Sequence, residues 1–234
     1  MADIQIRVRL SDLFGALSDR LSANRRAVLT YLALFIPASA IASGLDASLD
    51  LGGGGSGTAD SFGYYRDNGL IGLIVLIASV AAQCWLFGQM LGKADMSGRY
   101  LGFLGLAIVS FLGVGVATVF FVIPGLFLGA RWLIAPAIYV DQGRGVFDAL
   151  GESWHRTRGN TGPVMLALFL VLVMIVLASG ALATLFPFAE RGGPLGYLAE
   201  AVVSEVFSIA LLTLSVATYG LLSGQGEELA SVFD

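Results

Sequence analysis

Five long stretches of this chain carry almost no charge, and no soluble fold has room for them. No ionisable acid or base occurs from Ala27 to Leu45, from Gly69 to Leu91, from Leu101 to Ala130, or from Thr161 to Ala189, and only Glu205 interrupts Ala201 to Gly226. The hydrocarbon core of a bilayer is about 30 Å thick and a helix rises about 1.5 Å per residue, so about 20 apolar residues cross it. A soluble domain carries about 25% charged residues to cover its exterior. Here 13% are charged and 56% hydrophobic. Lipid removes the need for a polar exterior. Inside lipid the backbone must satisfy its own hydrogen bonds, which leaves helices or closed barrels. The strict alternation of a barrel strand is missing. The expected fold is therefore an all-α transmembrane bundle.

The spacing predicts six spans, at about 27–45, 69–91, 101–123, 125–140, 163–186 and 199–222, between an N-terminal segment 1–26 and a tail 223–234. The first 26 residues are polar and hold Arg7, Arg9, Arg20, Arg25 and Arg26. A cleavable leader would place its apolar region there, so the first apolar segment is expected to remain as an anchor. Ile123-Pro124-Gly125 reads as a tight turn between spans three and four. The rival is one broken helix from Leu101 to Val140, about 60 Å long and twice the hydrocarbon thickness. A partly re-entrant fourth segment is a third option. With the N-terminus inside, the inner side holds Arg7, Arg9, Arg20, Arg25, Arg26, Lys93, Arg99, Arg144, Arg156 and Arg158, and the outer side Arg66 and Arg191. Such asymmetry places both termini in the cytoplasm. The first outer loop contains Leu51 to Gly57, rich in glycine but lacking the Gly-Lys-Ser/Thr ending of a phosphate loop, and reads as a linker.

Two stretches have the apolar spacing of amphipathic helices. Leu10 to Leu21 aligns Leu10, Leu13, Phe14, Leu17 and Leu21. Val146 to Arg158 aligns Phe147, Leu150, Gly151 and Trp154, and is expected to be a helix lying roughly parallel to the membrane with Trp154 on its buried side. Both readings, interfacial helices on the lipid surface and helices packed on the ends of the bundle, fit this pattern. The two stretches also align loosely with each other, each just ahead of a span, as a repeated unit would.

The sequence lacks the common catalytic and metal-binding motifs. His155 and Cys84 are the only residues of their kinds, and no basic run suggests nucleic acid. No enzyme activity, cofactor or metal is expected. The informative residues are the charges at membrane depth: Arg131, Glu205 and Glu200. A charge there costs about 3 kcal/mol or more and usually faces the bundle interior with a partner. Arg131 is expected to contact an acid or backbone carbonyls, with Glu205 the preferred acid, while Glu200 lies about one turn further out. This set reads either as a structural ion pair or as a substrate or proton site. Gly88-x-x-x-Gly92 and Gly125-x-x-x-Gly129 offer close helix approach.

The segment from Ile123 to Asn160 contains Pro124, Gly125, Arg131, Trp132, Pro136, Asp141, Gly145, Leu150, Ser153, Trp154, Gly159 and Asn160 in an order and spacing that resembles the bacterial glycerophosphoryl diester phosphodiesterase membrane-domain family and its YciC-like relatives. The resemblance implies a multi-pass protein of the bacterial inner membrane. It does not carry the phosphodiesterase activity, which in fused relatives belongs to a separate soluble barrel. The long glycine-rich outer loop departs from the pattern. The leading expectation is a structural, scaffolding or assembly protein whose partners are membrane lipids, other membrane proteins or further copies of itself. The alternative is a small-solute transporter or transporter subunit using Arg131 and Glu205.

Overall fold

The computed structural model describes residues 8–49, 69–93, 96, 98–185 and 194–233. The glycine-rich loop from Leu51 to Gly57 lies outside them. Every regular element among the described residues is a helix: α1 Leu10–Ala23, α2 Arg25–Leu49, α3 Gly69–Met90, α4 Tyr100–Phe120, α5 Val122–Trp132, α6 Ala135–Gln142, α7 Val146–Arg156, α8 Thr161–Leu185 and α9 Pro194–Phe233. Five stretches are long and apolar enough to cross a membrane: Arg25–Gly44, Tyr100–Phe120, Val122–Gln142, Thr161–Leu182 and Pro194–Ser223. The chain is an all-α, multi-pass membrane bundle. Helix α3 adds 22 residues without a charge.

The core forms where α2, α3, α6 and α9 meet, around Tyr31, Cys84, Leu86, Phe87, Ile134, Ile138, Leu212 and Val216. Large apolar side chains point outward elsewhere, among them Leu101, Leu112 and Val119 on α4 and Met174 and Leu177 on α8. In water that surface would be a liability; in lipid it is the solvated face.

The α4–α5 hairpin turns at Phe121, whose backbone is extended at φ −160° and ψ 141°. The turn thus precedes the Ile-Pro-Gly triplet rather than using it. Pro124 sits in the first turn of α5, where its missing N–H has no intrahelical partner to lose. Gly125 then lies against α4, where a Cβ would come within 2.0 Å of Thr118 Oγ1 and 2.8 Å of Thr118 Cα. Of the two glycine pairs, this one mediates helix approach. Gly88 instead faces the turn that follows α3, where a Cβ would meet the Lys93 carbonyl at 2.9 Å, and Gly92 adopts φ 69° within that turn.

The fourth span is longer than 125–140 and is broken. Helix α5 stops at Trp132 and α6 starts at Ala135, with Pro136 in its first turn. Proline cannot donate to the carbonyl four residues back, that of Trp132, so helix α5 loses its continuation here. Hydroxyls from other helices bond two carbonyls beside the break. Ser153 Oγ donates to the Arg131 carbonyl at 2.7 Å, and Ser215 Oγ donates to the Leu133 carbonyl at 2.6 Å. The last span begins at Pro194 rather than 199, and its helix continues through the expected tail to Phe233.

Contacts gather the loops at one end of the bundle. The Val8 amide donates to Asn160 Oδ1 at 2.8 Å, Arg20 donates to the Met90 carbonyl at 3.4 Å, and Gln142 donates to the Tyr219 hydroxyl at 3.2 Å. Helix α1 packs there, with Leu13 buried against Ala167 and Leu214. Thus both amphipathic helices, α1 and α7, sit on one end of the bundle.

Candidate functional site

Arg131 and Glu205 belong to two different sites. The pairing expected between them is not made: each has its own partners, on different helices.

Arg131 lies in the last turn of α5, beside the break. Its Nη1 donates to the Trp154 carbonyl at 3.0 Å. Its guanidinium stands 4.9 Å from the centre of the Trp154 ring and 5.2 Å from that of Phe127. The two rings meet edge to face at 5.9 Å. Arg131 thus finds a backbone carbonyl and two aromatic faces, and not an acid. The partner comes from α7, which folds back against α5. The junction is closed from the other direction by Ser153 and by Thr157, whose Oγ1 reaches the Arg131 carbonyl at 3.5 Å.

Most residues of the Ile123–Asn160 pattern for which contacts are described serve this junction or the turns beside it. Ser153 and Trp154 hold Arg131, and Asn160 holds the N-terminal segment. Trp132 packs so close to α4 that a Cβ on Gly113 would lie 2.3 Å from its ring. Asp141 accepts from the Tyr219 hydroxyl at 2.6 Å and pairs with Lys93 at 3.2 Å. Gly145 is the extended residue before α7, Gly159 adopts φ 91°, and Leu150 is buried.

Helix α7 turns only part of the expected stripe, Leu150, fully into the bundle. Ala149, Leu150, Ser153 and Thr157 are buried, whereas Phe147 is 75% and Trp154 38% exposed. A helix at a bilayer interface has two apolar neighbours, protein and lipid. Here the small and hydroxyl-bearing side chains meet the protein, and most of the aromatic stripe is left for the lipid. On the polar side Glu152 pairs with Arg156 at 2.6 Å and with Arg144 at 3.6 Å. The hydrogen bond from Arg156 outweighs burial and holds the Glu152 carboxyl below the usual carboxylate range, with the charges of Arg156, Arg144 and His155 adding to it. A depressed acid stabilises the fold above its unfolded pKa, and that contribution disappears as the pH falls through the lower folded value. Glu152→Gln should therefore cost about 0.3–0.5 kcal/mol at neutral pH. The loss should vanish in acid. Thermal unfolding of both proteins across pH 3–7 checks this, and a difference that persists at the acid end contradicts it.

Glu205 is 7% exposed on α9. Oε2 accepts from the Tyr31 hydroxyl at 2.9 Å and Oε1 from Ser39 Oγ at 2.6 Å, both on α2. Tyr31 is fully buried and stacks on Phe35 at 4.8 Å. Among the described residues no arginine or lysine pairs with Glu205. Glu200, a turn further toward the start of α9, is exposed. The signals that could have found Glu205's partners are Tyr31, the one tyrosine of the first span, and Ser39, one of its few hydroxyls.

Separate sites make a measurable prediction. Arg131→Met and Glu205→Gln should combine additively within about 0.5 kcal/mol in a thermal-unfolding cycle, as uncoupled positions do. A coupling above about 1 kcal/mol would contradict the separation.

Among the described residues no group of three or more His, Cys, Asp and Glu is placed to hold a metal ion. Cys84 is a buried free thiol. Comparison of the chain with protein-family models, with curated proteins and with solved structures finds no match.

Proposed function

We propose that this chain is a non-enzymatic protein of the bacterial inner membrane, with six spans and both termini in the cytoplasm, that acts as a scaffold or assembly factor through contacts with lipids and other membrane proteins. The observation that carries the reading is the Arg131 junction. It spends the deepest basic residue on fastening α7 to the bundle, and leaves the exposed Phe147 and the half-exposed Trp154 facing outward. The basic residues gather at the end where α1 and α7 lie, which supports a cytoplasmic position for that end. The resemblance of residues 123–160 to the glycerophosphoryl diester phosphodiesterase membrane domains supports the same placement.

A second reading is favoured by one observation. Glu205 is a buried carboxylate at membrane depth with hydroxyl partners and no basic one among the described residues, and such a group is a default candidate for proton or solute translocation. Flux into proteoliposomes separates the two. A scaffold gives no saturable solute or proton flux above empty liposomes, and Glu205→Gln behaves like the parent. Saturable flux that Glu205→Gln abolishes overturns the scaffold in favour of a transporter.

A further inference from the structure

Beside the Arg131 junction lies an open groove of about 340 Å³, lined by Val109, Trp132, Phe147, Leu150, Gly151 and Trp154. Its size matches small-ligand sites, which run from about 300 to 1,000 Å³. It sits between α7 and the α4–α5 hairpin. Ile108 and Leu112, exposed on α4 on either side of Val109, continue its apolar surface. No lining side chain carries a charge.

The rim is cationic. The Arg131 guanidinium covers the face of Trp154, which is itself a wall of the groove. Its described partners, a carbonyl and two rings, are all neutral, and its Nε is buried without a hydrogen-bond partner. No acid among the described residues therefore balances the Arg131 charge, which stays available to an anion. Arg158 is exposed and follows Trp154 by four residues, one turn further along, with its amide bonded to the His155 carbonyl. The acids of α7 do not neutralise this rim: Glu152 lies two residues from Trp154, about 200° around the helix, and is held by Arg144 and Arg156, while Asp148 lies in the first turn, six residues and about 240° from Trp154.

We propose that this groove is a binding site for an anionic phospholipid, with one acyl chain between α7 and the α4–α5 hairpin and the phosphate held by Arg131 and Arg158. Charge complementarity selects the occupant: an apolar trough open to the bilayer with two cations at one end fits a lipid that has an acyl chain and a net negative headgroup. The proposal rests on the reading of this chain as a protein that works through lipid contacts, and names the lipid class.

The test is native mass spectrometry of the full chain, loaded in turn with phosphatidylglycerol and phosphatidylcholine of identical acyl chains. A basic residue near the headgroup contributes about 1 kcal/mol, or about fivefold in affinity. One phosphatidylglycerol should be retained at least about fivefold better than phosphatidylcholine. Arg158→Gln, on an exposed side chain, should lower that preference by about fivefold. Gly151→Leu should abolish retention of either lipid at this site without lowering thermal stability, because nothing lies within 4 Å of a Cβ built at Gly151. Equal retention of the two lipids, a Gly151→Leu protein that holds lipid like the parent, or a lipid-free dimer whose formation Gly151→Leu blocks would each overturn the proposal. The last outcome would make a second copy of the chain the occupant. Flux through Glu205 with lipid preference intact would overturn the scaffold alone. Lost lipid preference without flux would overturn only the lipid site.

Discussion

Removing both donors from Glu205, by Tyr31→Phe together with Ser39→Ala, should cost about 3–5 kcal/mol of stability. The two hydroxyls are the hydrogen bonds that its carboxylate receives, one per oxygen. Without them a buried acid keeps its desolvation cost and loses its compensation. Each single change should cost about 1–3 kcal/mol. Adding Glu205→Leu to the pair should return most of the loss, because an apolar group then occupies an apolar place. Unfolding in detergent, followed by helical signal, reads all four proteins. A triple variant as unstable as the double would mean that Glu205 is held by something other than these hydroxyls.

The second large effect is expected at the hairpin. Gly125→Val places a branched side chain where even a Cβ would lie 2.0 Å from Thr118 Oγ1 and 2.8 Å from Thr118 Cα. The hydroxyl cannot simply swing away, since Thr118 Oγ1 donates to the Val114 carbonyl at 2.7 Å, and the backbone contact would remain if it did. The helices must separate, at a cost of about 1–3 kcal/mol or more. Gly115 on α4 is the matched control. Nothing lies within 4 Å of a Cβ there, and Gly115→Ala should gain up to about 1 kcal/mol from helix propensity. Equal responses at the two glycines would place the α4–α5 contact elsewhere.

The spans were legible in the sequence because lipid imposes one requirement, an uncharged apolar run of fixed length, and the chain meets it repeatedly. The hairpin reading of 101–140 holds for the same reason, since a single helix of that length would overshoot the membrane. What was hidden depends on how helices end. Pro136 signals a break, but the sequence does not say that Ser153 and Ser215 will bond the Arg131 and Leu133 carbonyls beside it, or that α7 will come within reach of Arg131. Once α5 is read as continuous to Val140, Arg131 is stranded and Glu205 becomes the natural partner. The partners of Glu205 were present as a second unused signal, Tyr31 and Ser39 in an apolar span, eight residues apart on either side of Pro37. The face of α7 was misjudged on physical grounds too: an apolar stripe marks burial in water, but beside lipid it marks either neighbour. Ala149, Ser153 and Thr157 lie toward the protein because small and hydroxyl-bearing side chains allow close approach and satisfy open carbonyls.

The proposed topology places α1 and α7 on one side of the membrane and the first outer loop, between the first two spans, on the other. Single cysteines at Asp19 on α1, Asp148 on α7 and Thr58 in that loop, introduced with Cys84→Ser, can be labelled with a membrane-impermeant maleimide in intact and in permeabilised cells. A six-span bundle with its basic end inside predicts labelling of Thr58→Cys in intact cells, and of Asp19→Cys and Asp148→Cys only after permeabilisation. Labelling of Asp19→Cys and Asp148→Cys from opposite sides, or of either one in intact cells, would contradict it.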